Sequence, residues 1–186
     1  MNDLRNVKIA VLTLEGVEKA EITEPVKAFR DAGAEVTVIS KERKPVRTFV
    51  HHDPADTYPV DATFDERTPD EFDALFLPGG ALNADALRMI PQARNFVTSF
   101  ARAGKPIAAI CHAPWLLASA NLLKGRALTS FFTIQDDLRN AGAAWRDEAV
   151  VQDGNLITAR MPDDIPAFNP AVIALFAQAA RAGAPA

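Results

Sequence analysis

An α/β fold with a mostly parallel sheet, covered by helices on both faces, is what the sequence predicts, and three observations predict it. Short β-branched runs alternate along the chain with segments of helical spacing. The connections between those runs are long enough to be helical crossovers, which parallel strands require. And three of the strand-like runs end in glycine, acidic or thiol-bearing stretches, as happens where loops open at the carboxyl edge of such a sheet.

The elements follow in order. "VKIAVLT" (7 to 13) reads as a strand, "EPVKAFRDAGA" (24 to 34) as a helix with a glycine stop, and "EVTVIS" (35 to 40) as a second strand, a βαβ unit. Residues 41 to 70 are polar and read as loop or edge structure with a short extended piece at "VRTFV". "FDALFLPGG" (72 to 80) ends a third strand in paired glycines. "PQARNFVTSFARAGKP" (91 to 106) starts on a proline suited to a first helical turn and stops on Gly104 and Pro106. "PIAAIC" (106 to 111) is a short buried strand, "APWLLASANLL" (113 to 123) and "TIQDDLRNAGA" (133 to 143) are helices, and "AVVQDGNLITA" (149 to 159) places strands around an Asp-Gly-Asn turn. "NPAVIALFAQAARAG" (169 to 183) closes the pattern as a helix.

Composition bounds the function. With 186 residues, 48% of them hydrophobic, the chain matches one globular domain over 1–186. A net charge of −4 with scattered Lys and Arg predicts no nucleic-acid partner. No apolar run nears the roughly 20 residues of a membrane span. One cysteine forms no internal disulfide, and the polar start "MNDLRN" lacks the regions of a signal peptide, so a cytoplasmic location is expected.

That one cysteine lies in "IAAICHA" (107 to 113). A free cysteine after apolar residues is either a small core hydrophobe or a nucleophile. Ala109 and Ala113 flank Cys111 at two residues on either side, the small-x-nucleophile-x-small pattern of a tight strand-to-helix turn that projects its side chain outward. A helix start would also lower the thiol pKa from about 8.5. Gly79 and Gly80 allow a turn of positive φ, and beside such an elbow they expose backbone N–H groups. Gly80 N–H with His112 N–H would then stabilise an oxyanion. Glu15, Glu18, Glu21 and Glu24 are either solvated charges at a helix start or include a carboxyl that faces the thiol; the useful form of that carboxyl is protonated, donating a hydrogen bond to the thiolate.

Taken together, "VEKAEITEPVKAFRDAGAEVTVIS", "FDALFLPGG", "AICHAPWLLASANLLKGRALTS", "DDLRNAGAAWRDE" and "RMPDDIPAF", in that order, resemble the ThiJ/PfpI superfamily on its class I glutamine amidotransferase-like fold, and within it the PfpI-type bacterial stress proteins. The resemblance implies a flavodoxin-like three-layer sandwich with Cys111 at the nucleophile elbow, Glu18 as its carboxyl partner, and Gly80 and His112 at the oxyanion position. It implies self-association as a homodimer or higher oligomer, in which an acidic residue after the glycine pair reaches the histidine beside the cysteine of a neighbouring subunit; Asp85 is the matching position, shorter than the glutamate of some relatives. It also places "MPDD" (161 to 164) near the pocket.

Other residues carry blander expectations. Adjacent His51 and His52 rarely converge on one ion, so with Asp53 they read as a loop and no metal is assigned. Trp115 and Trp145 read as packing residues, and Asp136 and Asp137 as a solvated helix face. No G-x-G-x-x-G or G-x-x-x-x-G-K-[ST] is present and "TLEGVEKAE" offers no flavin cradle, so no cofactor is expected. Glutamine amidotransferases draw their base from a histidine far downstream, whereas His112 is the last histidine here. Three classes of function remain: a cofactor-free cysteine hydrolase or isomerase acting on reactive carbonyls or glycated protein, of glyoxalase or deglycase type; a PfpI-type peptidase with His112 as its base; and a non-enzymatic redox or stress protein that oxidises at Cys111.

Overall fold

The computed structural model describes residues 3–183, so residues 1, 2 and 184–186 of the expected domain lie outside it. In chain order the elements are β1 (Lys8–Leu12), β2 (Val17–Glu18), α1 (Lys19–Asp31), β3 (Glu35–Ser40), β4 (Val46–Val50), β5 (Asp53–Tyr58), β6 (Ala62–Thr63), β7 (Ala74–Leu77) and α2 (Ala81–Leu87). They continue with α3 (Pro91–Arg102), β8 (Ile107–Ile110), α4 (Pro114–Ser119), β9 (Ala127–Leu128), α5 (Gln135–Asn140), β10 (Ala144–Trp145), β11 (Val150–Asp153), β12 (Leu156–Ala159) and α6 (Ile165–Gly183).

Seven strands form the central sheet in the order β11-β12-β8-β7-β1-β3-β6. All neighbours are parallel except β11 and β12, which form the hairpin around the Asp-Gly-Asn turn. Alternate residues of each strand enter opposite layers, as the period of two demands. Ile9, Val11, Phe76, Ala108 and Ile110 pack with Ile22, Val26 and Phe29 of α1 and Phe168, Val172 and Phe176 of α6. Ala10, Leu12, Leu75, Leu77 and Ala109 pack on the other face with Phe96, Val97 and Phe100 of α3, Leu116 and Leu117 of α4 and Leu138 of α5. The result is the α/β/α sandwich expected, with both sheet faces dry.

Three local differences from the sequence reading matter for the site. Helix α1 starts at Lys19, five residues earlier than the spacing after Glu24 suggests, and its buried stripe is Glu21, Ile22, Pro25, Val26 and Phe29. Pro25 lies inside the helix and offers no N–H to the Glu21 carbonyl four residues back. Residues 81–87, which the sequence reading left unassigned, form α2 directly after the glycine pair. The stretch after Lys41 holds more strand than expected: beside "VRTFV", which is β4 as expected, β5 completes an antiparallel hairpin, and β4 pairs with β2 in a small second sheet. Alternating polar side chains on a two-layer edge explain why that hairpin carries no strong hydrophobic signal.

Candidate functional site

Strands β1, β7 and β8 lie side by side in the sheet, and their carboxyl ends bring three loops together: 13–18, 78–80 and 111–113. Cys111 ends β8. Its backbone has φ +64, a conformation costly for a residue with a Cβ, and is held by Cys111 N–H donating to Ala159 O (3.0 Å) and by Phe131 N–H donating to Cys111 O (2.9 Å). The elbow predicted from Ala109 and Ala113 is therefore present in backbone geometry, and both alanines are buried. The outward projection is not: Cys111 is only 6% exposed, at the floor of the loops rather than in solvent.

Glu18 is not the carboxyl beside the thiol; Glu21 is. Glu21 is fully buried, and a Cβ placed on Gly79 would strike Glu21 Oε2 and come within 2.6 Å of Cys111 Cβ. The absent side chain of Gly79 is thus the space in which Glu21 and Cys111 meet. Glu18 lies three residues earlier, at the helix start, where its Oε2 accepts the backbone N–H of His51 (2.9 Å) and ties the turn of the β4–β5 hairpin to the site. The reason is the helix boundary: with α1 running from Lys19, position 21 points into the layer between helix and sheet, and position 18 points along its edge. The signal was available, since Glu21 stands four and eight residues before Pro25 and Phe29 in the apolar stripe. The outer glutamates are structural or solvated: Glu15 accepts Arg47 N–H at 2.6 Å and Glu24 is exposed.

Burial sets the charge of this pair. Loss of solvent pushes the Glu21 carboxyl up from 4.5 to about 8, so it holds its proton at neutral pH; the nearby Glu18 charge adds to the rise, and the Cys111 thiol and Gly79 N–H oppose it. Neither Glu21 oxygen has a partner of good hydrogen-bond geometry among the described residues, and that thiol and N–H are the polar groups facing them. Burial and then the Glu21 charge push the Cys111 thiol upward too, against the lowering expected of a helix start. When Glu21 is protonated the repulsion between the two groups vanishes, and the Gly80 and His112 N–H groups that face the sulfur favour the thiolate. Burial, the larger cause of the rise at sulfur, remains when Glu21 is protonated, so at neutral pH the carboxyl holds its proton and the two N–H groups offset part of the cost of a thiolate.

Gly80 takes φ +89, and a Cβ there would press on Gly16 O and lie 2.6 Å from Glu18 N, so only glycine brings this N–H to the sulfur. His112 places Nδ1 3.1 Å from Cys111 Sγ and Nε2 3.3 Å from Thr133 Oγ1. Its ring stacks on Phe131 (4.9 Å between centroids, 28° between planes), and burial lowers its pKa, leaving a neutral imidazole at pH 7. Phe131 and Thr133 escaped the sequence reading because "TSFFT" follows a two-residue strand with no periodic signal. Asp85 lies exposed on α2 and reaches no group of the site within the chain. Trp115 is not only packing: its ring meets His112 edge-on (5.4 Å) and its Nε1–H donates to Asp137, which is therefore no merely solvated charge. Trp145 packs, donating to Ser130 Oγ. Asp164 of "MPDD" is buried and accepts the Arg160 backbone N–H and guanidinium just beyond β12, next to the elbow. Among the described residues no three His, Cys, Asp or Glu side chains converge as metal ligands.

A nucleophile with a proton-bearing neighbour and two N–H donors on one side suits attack on an electrophilic carbon with charge building on oxygen. The comparisons with known proteins agree with this architecture. The chain is 45% identical over 163 residues to Protein/nucleic acid deglycase 2 of Escherichia coli (strain K12), covering 87% of this chain and 93% of that one. It is 44% identical over 169 residues to General stress protein 18 of Bacillus subtilis (strain 168), covering 90% and 96%. Among solved structures, a two-domain protein with DJ-1/ThiJ/PfpI-like and ferritin-like domains from Anabaena variabilis superposes with a TM-score of 0.85 at 36% identity, over 90% of this chain and 47% of that longer one. Residues 7–175 match the model of the DJ-1/PfpI family, and the chain belongs to the DJ-1/PfpI family.

Proposed function

We propose that this protein is a cofactor-independent cysteine enzyme that removes reactive carbonyls, either free dicarbonyls or their early adducts on protein. The observation that carries this reading is the Glu21–Cys111 contact at a positive-φ elbow, a nucleophile and a protonated acid sharing one buried site. The relatives named as deglycases, at 45% and 43% identity, support the same chemistry.

In this reading the Cys111 thiolate attacks an aldehyde carbon of methylglyoxal, forming a C–S bond while the carbonyl electrons move to oxygen. Gly80 and His112 N–H receive that oxygen, and Glu21 delivers its proton to give a hemithioacetal. The Glu21 carboxylate then removes the hydrogen from the carbon bearing sulfur and returns it to the adjacent carbon, converting the hemithioacetal into a lactoyl thioester with no net redox change. Water cleaves the thioester to lactate and regenerates the thiol. An adduct of methylglyoxal on an amine enters the same path with the amine as leaving group. Neutral His112, held by Thr133 and Phe131, assists proton movement at sulfur.

The protein acts as a single cytoplasmic domain that self-associates. The exposed face of α2 carries Leu82 (59% exposed) beside Asp85, with Met89 (69%) just past its end, and an apolar face with one acid on it suits a second copy whose His112 ring N–H donates to the Asp85 carboxylate. The test of the reading is lactate formation from methylglyoxal by purified wild type and Cys111→Ala. Conversion by the wild type that disappears in the folded variant supports it; equal conversion by both, or none by either, rejects it.

A further inference from the structure

The peptide unit between Gly79 and Gly80 carries the N–H that faces the sulfur, and it is flanked by two residues without side chains. Such a unit can rotate by half a turn with little steric cost, because no Cβ stands in its way on either side. A rotated unit would aim the Gly79 carbonyl oxygen at Cys111 and repel the thiolate it should stabilise. Something outside the glycines must hold it.

Asn83, three residues on in α2, is fully buried, and its side-chain amide is spent on this loop and on the segment after β1. Its Nδ2 donates to Gly79 O at 2.9 Å and to Pro78 O at 3.0 Å, and its Oδ1 accepts the Leu14 N–H at 2.7 Å. The Gly79 oxygen also accepts Glu18 N–H at 3.4 Å. In a trans peptide the C=O and N–H of one unit point in opposite directions, and no cis peptide occurs among the described residues. Fixing the Gly79 oxygen against Asn83 therefore aims Gly80 N–H the other way, to the Cys111 side. The Leu14 bond ties the same amide to the end of β1, so one side chain sets the spacing of two of the three loops that form the site.

We infer that Asn83 is a positioning residue that locks the Gly79–Gly80 peptide with its N–H toward Cys111, and so sets both the thiolate population and the oxyanion contact. The inference rests on the carbonyl-attack reading only for its catalytic consequence; the effect on the thiol stands apart from any substrate.

The experiment measures the pH dependence of Cys111 alkylation by iodoacetamide, and methylglyoxal turnover, in wild type, Asn83→Ser, Asn83→Leu and Phe100→Leu. The last trims a buried ring of α3 in the core on the sheet face away from Cys111, and serves as a control for stability loss alone. The expected result is alkylation near pH 7 slowed about fivefold or more in the Asn83 variants and within about twofold of wild type in Phe100→Leu, with kcat down roughly tenfold and KM little changed. In the wild type, the Gly80 amide resonance of 15N-labelled protein should move as the thiol titrates, a readout that needs no variant. Alkylation profiles in Asn83→Ser and Asn83→Leu that match wild type, or a Gly80 resonance indifferent to thiol titration, overturn the inference. Should wild type show no turnover while the alkylation difference appears, the proposed function fails and the positioning role survives.

Discussion

Replacing Glu21 by glutamine tests the electrostatics of the site through the stability of the whole fold. Burial raises this carboxyl from 4.5 to about 8, so between those pH values the unfolded chain has lost the proton that the folded chain retains. Stability is thus fully present below about pH 4.5 and falls as pH rises through the folded pKa, by about 5 kcal/mol in all. Between about pH 5 and 7.5 the wild type should lose roughly 3 kcal/mol from this one group. Glutamine has a similar shape, donates a hydrogen bond as the protonated acid does, and does not titrate, so Glu21→Gln should lose none of it. Urea unfolding of both proteins at the two pH values measures the difference. The gap between them should widen in favour of Glu21→Gln by a few kcal/mol at the higher pH, while turnover disappears because an amide cannot pass a proton. Parallel behaviour, with a gap that changes by less than about 0.5 kcal/mol, would mean that Glu21 is ionised in the folded protein and that the charge assignment is wrong.

Other substitutions separate the roles of neighbouring groups. Gly79→Ala forces a Cβ against Glu21, Cys111 and Ile110 O and should cost about 1–3 kcal/mol in urea unfolding along with most turnover. Glu18→Ala frees the His51 turn but leaves the Glu21–Cys111 pair intact, and it should reduce turnover by no more than about tenfold, seen mainly in KM. Because burial lowers the His112 pKa, the acidic fall in kcat/KM should have its midpoint below the usual imidazole value of 6.5, and His112→Ala should abolish that limb.

Much of this was legible in the residues. The alternation of β-branched runs with helical segments implies the sandwich because a two-residue and a 3.6-residue period are hard to confuse over such lengths, and the alanines around Cys111 announce an elbow that its φ of +64 bears out. Which acid turns inward was missed, although the apolar stripe through Pro25 and Phe29 points to Glu21. A helix taken to start at Glu24 leaves Glu21 outside its apolar stripe, and Pro25 disguised the true start by resembling a first-turn proline. Helix α2 escaped because seven residues are too few to show a period, and Asn83 with it. The extent of burial at Cys111 was equally hidden, since it depends on how closely two glycines and a glutamate from distant segments approach.

The measurement closest to the centre of this account is methylglyoxal turnover by Glu21→Gln and Glu18→Gln, assayed side by side near neutral pH. Proton exchange between Cys111 and Glu21 predicts no detectable conversion in the first and at least a tenth of wild-type activity, to within about a factor of two, in the second. Loss in Glu18→Gln with activity retained in Glu21→Gln would contradict it.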